Sequence, residues 1–354
     1  MKKIIITLLI AAAVTSWWLY EFNSLMLLWS LGVASVLYLM EDDKLMSMEG
    51  KAVVITGCDT GFGNHLAKYL DSRGVAVFAG CLHSQGEGAR ELVRHCSSRL
   101  TVVQMDVTSD DQCAEAVAGV VAKTNQEIWG VVNNAGIDVC IDAELIPMKL
   151  YEKVISINLF GIIRVTKAFL PWIRRSKGRV VNVTSVKGVL PEPFGGAYST
   201  SKFGAEAFSD ILRVEMRKWG VKVAVVEPGQ YDGCTFVTRR PEWAQNFDMV
   251  WDSMSEELRQ TYGKDYVFHI QKCVQEATVP GGSDPTPVLE AVTHALFAEK
   301  PRVRYLVDGH GAYFFDLHCI GARLRRWMPT RFIDWFLDKY FIGDHPLPKQ
   351  LQRH

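Results

Sequence analysis

The chain has 354 residues and a formal net charge of zero, with 39 basic side chains against 39 acidic ones. It therefore offers no polycationic face for a nucleic-acid backbone and no strong field to steer charged ligands. Its eight cysteines are scattered, with no C-x-x-C pair, which argues against a metal site and for thiols acting as small buried apolar residues in a reducing compartment.

Lys2 and Lys3 precede an apolar run from Ile4 to Tyr20, broken at Glu21, Asn23 and Ser24; a second run, Leu25 to Met40, ends at Glu41, Asp42 and Asp43. Each run is slightly short of the roughly 20 residues that cross a bilayer as a helix, but Trp17, Trp18, Tyr20 and Trp29 can sit at headgroup level. Residues 1–43 are expected to form an uncleaved transmembrane anchor of one or two helices, since no small-residue cleavage site closes the first run. In a hairpin both ends share one side, and Lys2 with Lys3 hold that side, and the domain that follows, in the cytosol. Membrane lipid is then a partner.

Ala52 to Ile55 reads as a buried parallel strand and feeds directly into Thr56-Gly57-Cys58-Asp59-Thr60-Gly61-Phe62-Gly63, with a helix over Asn64 to Ser72. This order suits a dinucleotide: glycines admit a pyrophosphate to the backbone, and the helix amino terminus supplies N–H donors. Gly57, Asp59, Thr60, Gly61, Phe62 and Gly63 are the expected contacts, the competing reading being a tight turn alone. Val75 to Ala79 is the second strand. Cys81 stands where an acid would hold the adenosine ribose, while Thr60, Leu82, His83 and Ser84 offer no permanent positive charge for a 2′-phosphate. NAD is therefore expected rather than NADP, and His83 reads as a solvated loop histidine.

Leu100 to Met105 is a third strand, ending at Asp106-Val107, where a carboxylate can accept from an adenine amino group. A helix through Ala114 to Thr124 leads to the strand Ile128 to Val132 and to Asn133-Asn134-Ala135-Gly136. The continued alternation predicts an α/β fold with a doubly wound parallel sheet, ligands lying at the carboxyl ends of its strands. Arg179 to Val183 then runs into Thr184-Ser185, and a proline- and glycine-containing loop precedes Ala197-Tyr198-Ser199-Thr200-Ser201-Lys202.

Residues four apart share a helix face, so Tyr198 and Lys202 project together. A phenol of ordinary pKa near 10 is a poor base at neutral pH, but a neighbouring ammonium favours its phenolate. Lys202 can tune Tyr198 and hold a ribose. Ser185 can hydrogen-bond the substrate oxygen, and Asn158 can position a water that extends the proton path.

From about Lys51 to Gly229 the chain resembles the short-chain dehydrogenase/reductase superfamily. The resemblance rests on Thr56-Gly57-x-x-x-Gly61-x-Gly63, Asn133-Asn134-Ala135-Gly136, Asn158, Ser185, Tyr198-x-x-x-Lys202 and Pro228-Gly229. It implies a Rossmann-type sheet and a catalytic tetrad of Asn158, Ser185, Tyr198 and Lys202. It also implies cofactor contacts from Asp106, Val107, Asn134, Ala135, Gly136, Tyr198 and Lys202, with Pro228, Gly229 and Thr235 at the nicotinamide end.

Asp59, Phe78-Ala79-Gly80-Cys81-Leu82, Tyr262-Gly263-Lys264-Asp265-Tyr266 and Ser283-Asp284-x-x-Pro287-Val288 are similar to the branch containing membrane-bound hydroxysteroid, retinol and D-beta-hydroxybutyrate dehydrogenases. Gly311-Ala312-Tyr313, the run Phe341 to Pro348 and Asp142-Ala143-Glu144-Leu145 narrow it to the NAD-using 17-beta- and 11-beta-hydroxysteroid dehydrogenases. The resemblance implies oxidation of a steroid hydroxyl to a ketone at a membrane, expected to be that of the endoplasmic reticulum, a mitochondrial membrane being the alternative. Pairing of two copies through the helices flanking the site stays open.

The expected division is an anchor over 1–43, a catalytic domain over 44–300 with a substrate-region insert at about 236–282, and a C-terminal helical extension over 301–354. Arg302 to Tyr340 combines Tyr305, Tyr313, Phe314, Phe315, Trp327, Phe332, Trp335 and Phe336 with Arg323, Arg325, Arg326 and Arg331. It reads as amphipathic helix lying on a membrane or over the substrate mouth, or as completion of an ordinary core. Retinol oxidation is the alternative activity. Hydroxybutyrate ranks lower, because its carboxylate wants fixed cations and the candidates Lys187 and Arg239 read as solvated charges. A non-catalytic scaffold would keep the fold without needing the tetrad.

Overall fold

Runs such as Ala76–Cys81 and Arg179–Val183, buried at every position, cannot lie on a half-exposed sheet and so call for cover on both faces. The computed structural model, which describes residues 44–124, 126–231, 234–235, 242–275, 282–309, 316–342 and 346–353, supplies it. Strands β1 (Lys51–Thr56), β2 (Ala76–Cys81), β3 (Leu100–Gln104), β4 (Glu127–Asn133), β5 (Arg179–Val183), β6 (Lys222–Pro228) and β7 (Arg304–Val307) form one sheet in the order 3-2-1-4-5-6-7. Every pairing is parallel. The strand order reverses beside β1 and β4, and the crevice between their carboxyl ends is where this architecture takes ligands.

The connecting helices are α1 (Gly61–Ser72), α2 (Glu87–His95), α3 (Asp110–Lys123), α4 (Met148–Ser176) and α5 (Gly196–Met216). Beyond β6 come α6 (Glu242–Ser253), α7 (Glu256–Tyr262), α8 (Lys264–Gln275), α9 (Thr286–Phe297), α10 (Leu317–Arg325) and α11 (Thr330–Leu337). Successive strand residues face opposite ways. Val53 and Ile55 thus join Leu66, Leu70, Leu92 and Phe297 in one layer, while Ala52 and Val54 join Val120, Phe169 and Ile173 in the other. Burying each such large apolar side chain stabilises the fold by about 1.5–3 kcal/mol.

Among the described residues, α4 is the one helix long and apolar enough to cross a bilayer. It is a core helix, because its Val165, Phe169 and Ile173 pack against the sheet. Its middle, Ser156–Phe160, widens into a π-helical turn. The spacing explains why. Leu150, Val154, Asn158 and Ile162 are all buried, yet four-residue steps drift by about 40° each at 3.6 residues per turn, a drift that the wider turn takes up.

Two smaller apolar clusters lie outside the two main layers. Phe247, Val250, Val267 and Ile270 of α6 and α8 pack on Val139, Ile141, Leu150 and Val154. Cys319 and Ala322 of α10 and Ile333 of α11 pack on Val186 and Leu190, just past Ser185.

The expected helix over Arg302 to Tyr340 is not continuous. Residues 304–307 are strand β7, and Tyr305 is buried where its hydroxyl meets His294 Nδ1 at 2.7 Å, so pairing with β6 overrides the helical pattern. Two short helices follow. α11 buries Ile333 and Phe336 while Trp327, just before it, and Trp335 are 81% and 51% exposed. The anchor expected over 1–43, Arg239, Gly311, Ala312, Tyr313, Phe314 and Phe315 lie outside the described residues, as does part of the insert. Seven cysteines among those described are free, five of them buried.

Candidate active site

The turn after β1 depends on glycine. Gly57 adopts φ +69°, and a Cβ there would sit 2.8 Å from Ala135 Cα; at Gly63 a Cβ would sit 2.3 Å from the Gly57 carbonyl oxygen. Asn134 draws the ends of β1 and β4 together: its Nδ2 donates to the Thr56 and Gly57 carbonyls at 2.9 and 3.2 Å, and its backbone N–H to Thr56 Oγ1 at 3.0 Å. No side chain caps α1. Its first-turn N–H groups are thus left for a phosphate, which fits a dinucleotide.

The crevice is a cavity of about 630 Å³. Its end beside the glycine turn is lined by Gly57, Asp59, Thr60, Gly61, Phe62, Leu82, His83, Asp106 and Val107. Asp59 accepts the backbone N–H groups of Leu82 and His83 at 2.9 Å each. Although no acid ends β2, a carboxylate from the glycine turn is therefore fastened to that very place. Burial, then Asp59, push the Cys81 thiol up to about 12, so it stays neutral. Asp106 Oδ1 is engaged by Thr108, through N at 2.8 Å and Oγ1 at 2.7 Å. Farther in, Asn134, Ala135, Gly136, Pro228, Gly229 and Thr235 line the wall. Gly63 does not line it; it lets α1 close on the Gly57 carbonyl.

Ser185, Tyr198 and Lys202 meet at the inner end. Lys202 Nζ donates to the Val183 carbonyl at 3.1 Å and lies 5.4 Å from the Tyr198 ring centroid. Burial lowers its pKa to about 8, against the pull of Asp138 and Glu206. For Tyr198, burial raises the phenol pKa, as does Asp138, while a hydrogen bond to Ser185 and the Lys187 ammonium draw it down. Asn158 lies in the π turn with no exposed surface and is absent from the cavity wall. Its amide exchanges two hydrogen bonds with the Ile137 backbone, at 2.9 and 2.8 Å, and donates to Ser201 Oγ at 3.0 Å. It braces the floor beside Gly136.

Lys187 is not a solvated charge. It lines the cavity with its Nζ 3.5 Å from Glu192 Oε2 and 5.9 Å from the Tyr198 ring centroid. Glu192, 3% exposed in its side chain, also pairs with His318 Nδ1 of α10, whose Nε2 lies 3.2 Å from Gln230 Oε1. Asp138 faces the same cluster with Oδ1 buried and unpartnered. Asp138, Glu192, Gln230 and His318 had no signal in the sequence, since each comes from a different segment and none sits in a motif.

Residues 51–244 match the family described as short chain dehydrogenase. The chain is 42% identical over 340 residues to estradiol 17-beta-dehydrogenase 2 of Mus musculus, covering 93% of this chain and 86% of that one. It is 44% identical to the mitochondrial D-beta-hydroxybutyrate dehydrogenase of Bos taurus, over 72% of this chain and 76% of that one. Among solved structures, a short-chain dehydrogenase from Streptomyces avermitilis superposes with a TM-score of 0.59 at 26% identity, covering 78% of this chain and 95% of that one. The chain therefore belongs to the short-chain dehydrogenase family, and it is an oxidoreductase whose crevice is built for a nicotinamide dinucleotide.

Proposed function

We propose that the protein oxidises a steroid hydroxyl, at the 17-beta or 11-beta position, to a ketone with NAD. The observation that carries the chemistry is that Ser185, Tyr198 and Lys202 line one cavity, with the Lys202 ammonium 5.4 Å from the Tyr198 ring centroid. Ser185 donates to the substrate oxygen and holds it against Tyr198. The Tyr198 phenolate then takes the hydroxyl proton, breaking O–H as C=O forms, and Lys202 favours that phenolate. A bound nicotinamide supplies the acceptor for the hydride that leaves the carbinol carbon. Asn158 keeps Ile137, and with it the cavity floor, in place.

Likeness to an estradiol dehydrogenase over 93% of this chain supports the steroid class. NAD is favoured over NADP because Asp59 and Asp106 line the adenosine end, whereas the lysines of the described wall, Lys187 and Lys202, lie at the other. Residues 1–43 anchor the enzyme to a membrane, with the exposed Trp327, Phe332 and Trp335 beside Arg326 and Arg331 resting on its surface. One observation favours a second reading, D-beta-hydroxybutyrate: Lys187 is a cation inside the cavity. Glu192 already balances that charge, which keeps the steroid first.

A substrate panel separates the two. The purified full chain should form NADH with estradiol, testosterone or cortisol, and more slowly or not at all with NADP as acceptor. Turnover of retinol or 3-hydroxybutyrate without any steroid would replace the substrate assigned here.

A further inference from the structure

We propose that Lys187 is a positioning residue of the reaction: held by Glu192 and, through it, by His318 of α10, its ammonium faces the Tyr198 phenol and favours the phenol's charged form. This rests on Tyr198 being the proton acceptor, as assigned above.

Two ammonium groups approach one phenol ring, Lys202 at 5.4 Å and Lys187 at 5.9 Å from its centroid. They differ in what holds them. Lys202 donates to the Val183 carbonyl, a neutral acceptor, and burial brings its pKa to about 8. Lys187 lies 3.5 Å from a carboxylate with little exposed surface. Burial alone would lower its pKa, but Glu192, then Asp138, Cys140 and Tyr198, hold it above the ordinary lysine value. Lys187 is thus the more permanent charge of the two at working pH, and it draws the phenol pKa down.

The groups facing this pair come from every wall. Asp138 and Cys140 approach from the loop after β4, Glu192 from the loop before α5, Lys202 from α5 itself and His318 from α10. Asp138 and Glu192 oppose the phenolate, Lys187 and Lys202 favour it, and His318 occupies Glu192 from the far side. The Ser185 side chain accepts the Lys187 backbone N–H at 3.2 Å. The residue that orients the substrate therefore also sets where the second ammonium starts.

The test compares Lys187→Met with Lys187→Arg in the full-length protein, Glu192 keeping His318 as its remaining partner in both. In the oxidative direction activity rises with pH as Tyr198 ionises, so losing the nearby cation moves the acidic limb of the kcat/KM profile upward by about one pH unit. Lys187→Arg should restore the wild-type limb. An ultraviolet pH titration without cofactor, taken as the difference from Tyr198→Phe, should show the same upward shift for the tyrosinate signal.

A Lys187→Met variant that melts earlier but leaves both the limb and the tyrosinate titration in place would reduce Lys187 to a structural tie and overturn the proposal. A rise in KM confined to 3-hydroxybutyrate, again with no shift, would make Lys187 a substrate contact and overturn it equally. Retention of activity by Tyr198→Phe would instead remove the assignment on which the proposal rests.

Discussion

At the end of the cleft beside the glycine turn the wall is set by close backbone packing, through Gly57 and Gly63, where a Cβ would clash, and through Asn134 holding two strand ends together. At the Tyr198 end it carries the charged side chains Asp138, Lys187 and His318, the last two tied to Glu192 behind the wall. The first construction is local and steric, so almost any substitution damages it. The second is distributed and electrostatic. Its members can change, and with them the substrate or the working pH, while the sheet and its cofactor crevice stay as they are.

Tyr198→Phe, at the meeting point of the two ends, should have the largest effect, lowering kcat by about 10²–10⁴-fold, the usual contribution of a positioned acid–base group. Cofactor affinity measured by nicotinamide fluorescence should change far less than kcat in that variant.

Gly63→Ala tests the steric end. The added methyl meets the Gly57 carbonyl oxygen at 2.3 Å, and overpacking of this kind costs about 1–3 kcal/mol. Chemical denaturation should show that loss, and NAD affinity should fall because the turn must open. An unperturbed variant would mean that the turn is looser than its geometry.

Asp59→Asn asks whether that end also carries charge discrimination. Removing the carboxylate that accepts Leu82 and His83 should narrow the preference for NAD over NADP by about tenfold, or about 1.4 kcal/mol. Parallel kcat/KM measurements with the two cofactors decide it.

The smallest effect is a pH dependence of stability behind the substrate end. Arg304 pairs with Glu206, Glu227 and Asp210, and Arg213 with Asp210, two guanidinium groups for three carboxylates. Burial first, then Glu206, hold the Glu227 carboxyl up to about 7, against the pull of Arg304. A carboxyl raised in the folded state favours folding below its unfolded value of 4.5 and loses that contribution as pH rises through about 7. Denaturation midpoints across this window should fall with pH, and Glu227→Gln should flatten the slope.

The same contrast explains what could be read from the sequence. The glycine turn, Ser185, Tyr198 and Lys202 sit in short motifs, and the structure brings them to one cavity. The strand expected over Arg179 to Val183 has those bounds, and the helix expected from Asn64 starts at Gly61 because Thr60 flanks its first turn. Lys187 reads as a solvated charge because a lone lysine shows no local partner; its carboxylate, Glu192, lies 5 residues on, and the other partner of that carboxylate, His318, a further 126. For Tyr305 the aromatic pattern leaves an amphipathic helix and an ordinary core both open; the residue is buried, and its hydroxyl accepts the Arg302 N–H at 2.9 Å at the start of β7. Such facts reside in tertiary pairing, which no local window contains.

The widened turn at Ser156–Phe160 lets one stripe of residues stay inward from Leu150 to Ile162. Removing a single residue there would restore ordinary winding and swing everything upstream by about 100° relative to the sheet. Asn158 would lose its grip on Ile137, and Leu150 and Val154 would leave the apolar cluster that carries α6 and α8. One extra residue of helix thus keeps the packing of α6 and α8 in phase with the loop that Asn158 braces, and a deletion too small to disturb the sheet would uncouple them.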